Sequence, residues 1–302
     1  MRKTEKKKML SKKEFDVLLA ISEESGLSQR AIAETSGYSV GTVNKLIKTF
    51  VENGWYDGEK ITQSGLTALE PYRVKRAIFL AAGFGSRLVP ITLNTPKPLV
   101  RVNGTRMIDT LLDAVQAAGI EEVIIIRGYL GEQFDQLKYK YPNIRFVENP
   151  MYNESNNISS AYFVRDLFCG AYVLESDLLL KNPKLIRKYE YSSNFLGIPV
   201  ARTDDWYFRV KDGVIYEQGV GGTDCYQMVG VSYWDEQAGK NLERDLEEVF
   251  NAPGGRERYW EQTALLYKKE NYQIRVRACK MDDIVEIDTF TELKQIDKTY
   301  DI

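Results

Sequence analysis

The stretch FLAAGFGSRLVPITLNTPKPLV, residues 79–100, sets Gly83 and Gly85 directly after a short apolar run. Arg87 and Lys97 then follow among three prolines, Pro90, Pro96 and Pro98. Glycine turns bare main-chain N–H groups, and prolines restrict the chain that carries the cations. Bare donors beside two held cations suit a polyanionic phosphate chain. The pattern is Gly-x-Gly-x-x-Leu, so it lacks the third glycine of a dinucleotide fingerprint, and no Gly-Lys-Ser/Thr closes it as a Walker A loop. Further on, AYVLESDLLL ends an apolar run in Glu175-Ser176-Asp177, which aims carboxylates into the crevice expected at a strand's C-terminal end. The chain has no histidine, which removes imidazole acid–base catalysis, His-based triads and His-ligated metals. Cys169, Cys225 and Cys279 are odd in number and far apart, so neither a disulfide framework nor a zinc site is indicated.

The elements needed to position these groups are legible in outline. AIFLAA, residues 77–82, is a compact apolar run suited to a buried parallel strand. After the proline-rich segment come a helix at MIDTLLDAVQAAGI, a strand at EEVIIIRG, a helix at GEQFDQLKYKY and a strand at IRFVENP. Strand–helix alternation predicts an α/β domain with a mostly parallel central sheet and a ligand site at the strands' carboxyl ends.

The N-terminal part reads differently. SKKEFDVLLAISEES predicts a helix with Phe15, Leu18, Leu19 and Ile21 on one face. Ser28 caps a short helix with Ala31 and Ile32, Gly37 makes a turn, and Ser39 caps a longer helix carrying Val43, Leu46, Ile47 and Phe50. Asp57-Gly58 predicts a hairpin turn between two short strands. This order resembles the winged helix-turn-helix domains of bacterial transcription regulators over residues 10–72. The resemblance implies double-stranded DNA as partner, with Ser39, Thr42, Asn44, Lys45 and Lys48 facing the groove or the phosphates, and by analogy a homodimer. The alternative is a small helical domain for protein contact. Residues 1–76 carry 14 Lys+Arg against 10 Asp+Glu, and the rest 27 against 33, so the two parts differ in sign. The expected division is 1–75 and 76–302, with PYRVKRAI at the boundary.

LAAGFGSRLVPITLNTPKPLV resembles the signature of the sugar-1-phosphate and small-alcohol-phosphate nucleotidyltransferases, which have a Rossmann-like fold. Within that superfamily GYLGEQFDQLKYKY, YNESNNISSAYFVRD, GVSYWD, RYWEQ and EIDTF are similar to the bacterial CTP:phosphocholine cytidylyltransferases. The resemblance implies transfer of CMP from CTP to phosphocholine, giving CDP-choline and pyrophosphate. It implies that Ala82, Gly83 and Gly85 bring backbone to the nucleotide, with Ser86 and Arg87 on the phosphates and Lys97 at the α-phosphate. Arg87 and Lys97 are then the catalytic cations. Tyr129, Asn157 and Ser160 are expected near base or ribose. Asp177 and Asp288 match the metal-binding aspartates, and oxygen ligands with an NTP favour Mg2+. Glu175 stands where a first aspartate is common.

Recognition of a quaternary ammonium needs aromatic faces and negative charge. Trp206, Trp234, Tyr259, Trp260 and Glu261 are the expected substrate contacts. Phosphoethanolamine, 2-aminoethylphosphonate or a sugar phosphate are alternative acceptors, and a transcription regulator that uses the domain as a ligand sensor is an alternative role. No apolar run approaches a membrane span and no signal peptide is read, so the expected location is the cytoplasm.

Overall fold

The computed structural model describes residues 9–301. The chain divides into two compact units, one running as far as Arg73 and taking in Tyr189–Tyr191, the other holding the remainder from Val74.

In the first unit α1 (Lys12–Glu23) opens on a capping box in which Ser11 and Glu14 satisfy each other's backbone N–H groups. Ser28 caps α2 (Gln29–Ser36), which ends at Gly37 with φ 75°, a left-handed conformation that costs glycine little. Ser39 caps α3 (Val40–Glu52). Phe15, Leu18, Leu19, Ile21, Ile32, Val43 and Phe50 are all buried in one cluster, with Leu46 and Ile47 packed at its edge. The expected hairpin is reduced to a single antiparallel bridge, Tyr56 to Ile61. The Asp57-Gly58 turn does form, with Asp57 Oδ1 accepting from the backbone N–H groups of Glu59 and Lys60 at 2.9 and 2.8 Å. No second strand follows because Thr62 caps a helix, α4 (Gln63–Leu69).

The second unit is built on a seven-stranded sheet. Its strands are β1 (Arg76–Ala81), β2 (Glu122–Arg127), β3 (Ile144–Glu148), β4 (Ala171–Glu175), β6 (Asn194–Lys211), β7 (Val214–Trp234) and β8 (Arg275–Ala278). Two short strands outside it, β5 (Leu178–Leu180) and β9 (Ile284–Glu286), pair with each other. The sheet order is β8-β6-β7-β4-β1-β2-β3. Strands β3, β2, β1 and β4 run parallel, and β7 runs antiparallel to β4 and to β6. β1 is covered on both faces, as its unbroken apolar run requires. Ala77, Phe79 and Ala81 pack in a cluster with Ile108, Leu111 and Val115 of α5 (Met107–Ala117). Ile78, one position out of phase, packs in the opposite cluster with Leu242 and Leu246 of α6 (Glu236–Asn251). The segment read as a helix at GEQFDQLKYKY winds as 3-10 turns over Gly131–Tyr139.

Candidate active site

β1 has β4 on one side and β2 on the other, so its C-terminal end lies where the chain's crossovers diverge, the position at which open α/β sheets bind ligands. A cavity of about 580 Å³ opens there. The glycine loop forms one wall. A Cβ on Gly83 would meet nothing within 4 Å, so its backbone faces open space, whereas one on Gly85 would come 2.8 Å from Lys97 Cβ. Gly85 also sits at φ +63°, so both its conformation and its close approach require glycine. Thr92 closes the turn by donating to the Gly85 carbonyl at 2.8 Å.

Lys97 is the centre of the site. Its side chain is 9% exposed, and Nζ donates to Asp177 Oδ2 at 2.8 Å and to Asp288 Oδ1 at 2.9 Å. Arg87 Nη2 reaches the same Asp288 oxygen at 2.7 Å. Burial alone would lower the Lys97 pKa, but Asp177 and Asp288 outweigh it and hold the ammonium charged. These residues lie 80 and 191 positions from Lys97 and meet because of one small ladder. Asp177 ends the turn between β4 and β5, and β5 pairs antiparallel with β9, Leu178 opposite Glu286. Ile287 then donates its N–H to the Asp177 carbonyl at 3.3 Å, which carries Asp288 to the lysine.

Two more carboxylates join them. Oxygens of Glu175, Asp177 and Glu286 lie within 4.8 Å of one another. The Glu175 side chain fits because Gly230 in β7 has no Cβ, which would fall 2.3 Å from Glu175 Oε2. Burial, then the charges of Asp177, Glu286 and Glu261, push the Glu175 carboxyl well up, with Lys97 opposing. Burial and the neighbouring Asp177 and Asp288 likewise push Glu286 up to about 8. One Asp177 oxygen, Oδ1, is buried without a partner. Oxygen donors crowded enough to resist ionisation, one of them bare, fit a hard divalent cation such as Mg2+.

Ala82, Ser86, Asn157 and Ser160 also line the cavity. Ser160 Oγ accepts from the buried Asn149 Nδ2 at 3.0 Å, as does Ser159 Oγ. Asn157 Oδ1 accepts from the Trp260 N–H at 3.0 Å, and Asn156 donates its own N–H to the Arg256 carbonyl at 2.7 Å. Ser155 Oγ reaches that same carbonyl at 2.8 Å, and Asn156 Nδ2 reaches the Glu257 carbonyl at 3.2 Å. The segments 155–157 and 256–260 are thereby joined. Tyr129 is not on the cavity wall. Its hydroxyl donates to the carbonyls of Thr92 and Leu93 at 3.0 and 3.3 Å, and its N–H to Ala82 O at 3.1 Å, so it braces the glycine loop instead of meeting a base or ribose.

The expected aromatic contacts separate into two kinds. Trp206 and Tyr259 line the cavity, rings 5.3 Å apart and inclined at 67°. Trp234 and Trp260, 0% and 2% exposed, belong to the apolar core beside Phe168 and Phe195, because alternation along β7 turns Trp234 inward under α6. Trp234→Ala is therefore expected to cost about 3–5 kcal/mol of stability in a denaturant titration without a selective change in substrate KM. Glu261 does line the cavity, nearly fully buried. Asn149, Tyr152, Asp205 and Glu286 are wall residues that the sequence motifs did not point to. Glu286 had a signal, since it stands two residues before Asp288 and extended chain puts such pairs on one face.

On α3, Ser39, Lys45 and Lys48 are exposed, and the two lysines are three apart on one helix face. Thr42 is half-buried and its hydroxyl lies 3.0 Å from Ser39 Oγ, which caps the helix. Asn44 is also half-buried, with its Oδ1 shielded and unpartnered, so that atom faces inward. Among the described residues no helix is long and apolar enough to cross a membrane.

Residues 76–195 match the nucleotidyl transferase family, and residues 10–55 match winged helix-turn-helix DNA-binding domains. The 2-aminoethylphosphonate cytidylyltransferase of Lancefieldella rimae is 36% identical over 228 residues, covering 74% of this chain and 92% of that protein. Choline-phosphate cytidylyltransferase of Streptococcus pneumoniae is 31% identical over 229 residues, covering 74% and 97%. The solved structure of CTP:phosphocholine cytidylyltransferase from Streptococcus pneumoniae matches with a TM-score of 0.68 at 29% identity, over 75% of this chain and 99% of that one. With sheet order, crevice and nearly full-length relatives in agreement, the chain belongs to the nucleotidyl transferase family, its α/β fold preceded by a winged helix-turn-helix.

Proposed function

We propose that the protein transfers a cytidylyl group from CTP to a small phosphate or phosphonate bearing a positive charge, phosphocholine being one such acceptor and its product CDP-choline. The observation that carries this is the meeting of Lys97 with Asp177 and Asp288 at the mouth of a glycine loop. An acceptor oxygen attacks the α-phosphorus of CTP, the bond from that phosphorus to the β-bridging oxygen breaks, and pyrophosphate leaves with the electron pair. The attacking oxygen is already ionised, so no general base is needed, in keeping with a chain without histidine. The barrier is electrostatic, an anion approaching anions. Lys97 and Arg87 offset charge on the nucleotide phosphates, and the backbone at Gly83 lets them approach closely. Asp177 and Asp288, with Glu286 beside them, would hold Mg2+, which when bound supplies further charge neutralisation on the triphosphate. The cytosine base of the donor is supported by the two cytidylyltransferase relatives. The test is pyrophosphate release with each of the four NTPs and a panel of phosphocholine, phosphoethanolamine, 2-aminoethylphosphonate and sugar phosphates. Release with CTP and the cationic acceptors is expected, and silence across the panel overturns the reading.

Trp206, Tyr259, Asp205 and Glu261 form the wall suited to the positive end of the acceptor. Burial pushes the Glu261 carboxyl from 4.5 up to about 7. Below that pH the free protein holds a proton there that a cationic acceptor must displace, and above it the carboxylate is already charged. Acceptor KM is therefore expected to fall by about tenfold per unit as pH rises towards 7 and then level off. Steady-state kinetics of Glu261→Gln, which keeps only the acceptor's own ionisation, isolate this component. An unchanged profile in that variant counts against it.

The N-terminal unit supports a second activity, binding of double-stranded DNA through α3. The exposed pair Lys45 and Lys48 is suited to phosphates. Replacing both by alanine is expected to weaken duplex binding about tenfold and to reduce the salt slope by about 2 in fluorescence anisotropy. No binding by the unaltered protein at low salt would refute the activity.

A further inference from the structure

The cavity contains one polar group that the nucleotide chemistry leaves idle. Glu261 is 2% exposed, lines the cavity, and its Oε2 has no hydrogen-bond partner. No ion pair is formed by Glu261 among the described residues, although Gln218 favours its charged form. A shielded acceptor with nothing to accept bears its full desolvation cost until a donor arrives. Asp205 opens onto the same space, and Glu175, close enough for Glu261 to raise its pKa, lies towards the metal-binding end. The donor that this wall calls for is thus cationic.

The aromatic side of the wall decides what kind of cation. Encircling a trimethylammonium takes several ring faces turned towards one point. Here Trp206 and Tyr259 pack edge against face at 5.3 Å, which leaves no room for a head group between them. Trp234 and Trp260 are enclosed in the core, and Tyr152, another aromatic on the wall, packs against Phe84 with ring centroids 5.4 Å apart. A quaternary nitrogen also has no N–H to offer Oε2, whereas a protonated primary amine has three.

Building on the transfer reading above, we infer that the acceptor's positive end is a primary ammonium donating to Glu261 Oε2, so that 2-aminoethyl phosphates or phosphonates are chosen over trimethylammonium analogues. A site made to hydrogen-bond a substrate N–H discriminates strongly against the analogue that lacks it, because its own buried group is then left bare.

The experiment measures kcat/KM of the full chain with CTP and Mg2+ for phosphoethanolamine, its N-methyl and N,N-dimethyl derivatives, phosphocholine and 2-aminoethylphosphonate. The primary amines are expected to exceed phosphocholine by at least about 100-fold, with a stepwise decline as each N–H is replaced. The phosphate and phosphonate arms tell which anion accompanies the amine. Glu261→Gln is expected to compress the range to about tenfold or less. Phosphocholine equal to or better than the primary amines overturns the inference while leaving cytidylyl transfer intact, and so does a preference that survives in the Gln variant. Should that variant not fold, the methylation series on the unaltered protein decides alone. Pyrophosphate release from no acceptor overturns the transfer reading and this inference together.

Discussion

Lys97→Ala is expected to lower the rate of cytidylyl transfer at least about a thousandfold in a protein that still folds. Among the described residues Lys97 alone is bonded to both Asp177 and Asp288, and a Cβ on Gly85 would come 2.8 Å from Lys97 Cβ. A fixed charge aimed at the phosphorus where negative charge accumulates contributes about a hundred- to a thousandfold. The same truncation frees both aspartates to reorient, which adds to the loss. Stability should suffer less. Removing one partner of a fully buried ion pair costs about 3–5 kcal/mol. The Asp177 and Asp288 side chains, however, are 25% and 22% exposed, so water can solvate them. Circular dichroism should therefore show a cooperative melt shifted by a few degrees and partly restored by Mg2+. A kcat within tenfold of the unaltered protein in single-turnover measurements would remove Lys97 from the chemistry.

Asp288→Asn keeps the shape of the site and removes one charge. Asp288 Oδ1 accepts from Arg87 and Lys97 together, and its main-chain N–H is anchored by Glu292 Oε2 at 2.8 Å, so the substitution should leave the backbone in place. The expected result is a fall in kcat of about a hundredfold or more, together with at least a tenfold rise in the half-saturating Mg2+ concentration. Mn2+ titration followed by electron paramagnetic resonance, with CTP present, reads the metal directly. Unaltered Mn2+ affinity would show that the ion is held without Asp288.

Lys97 and Asp177 are legible from short stretches of distinctive composition, whereas Asp288 is marked only by the resemblance of EIDTF to a family motif. Glycines before a proline-flanked lysine and a carboxylate ending an apolar run are both local patterns. Their meeting was not legible, since it depends on β5 pairing with β9 across residues far apart in sequence. Trp234 and Trp260 depart from the expectation for a related reason. Alternation tells which residues share a face, but not which face meets solvent, and Trp234 and Trp206 lie on strands of the same hairpin with opposite fates. The resemblance implies Tyr129 near base or ribose, yet its hydroxyl is consumed by the carbonyls of Thr92 and Leu93. In the N-terminal unit caps and apolar periodicity predicted three helices correctly. Beyond the Asp57-Gly58 turn the sequence predicts a second short strand, whereas the Thr62 hydroxyl accepts from the Gly65 N–H and starts a helix.

In the joint between residues 155–157 and 256–260 the side-chain atoms all come from one side, where Asn156 also adds its main-chain N–H. Ser155 and Asn156 contribute side-chain donors, whereas positions 256 and 257 contribute only main-chain carbonyl oxygens. Any amino acid presents the same carbonyl, so as far as the joint is concerned substitutions at 256 and 257 are silent. Those at 155 and 156 are not. Among descendants of this gene, drift should accumulate on one side of that seam and be purged on the other.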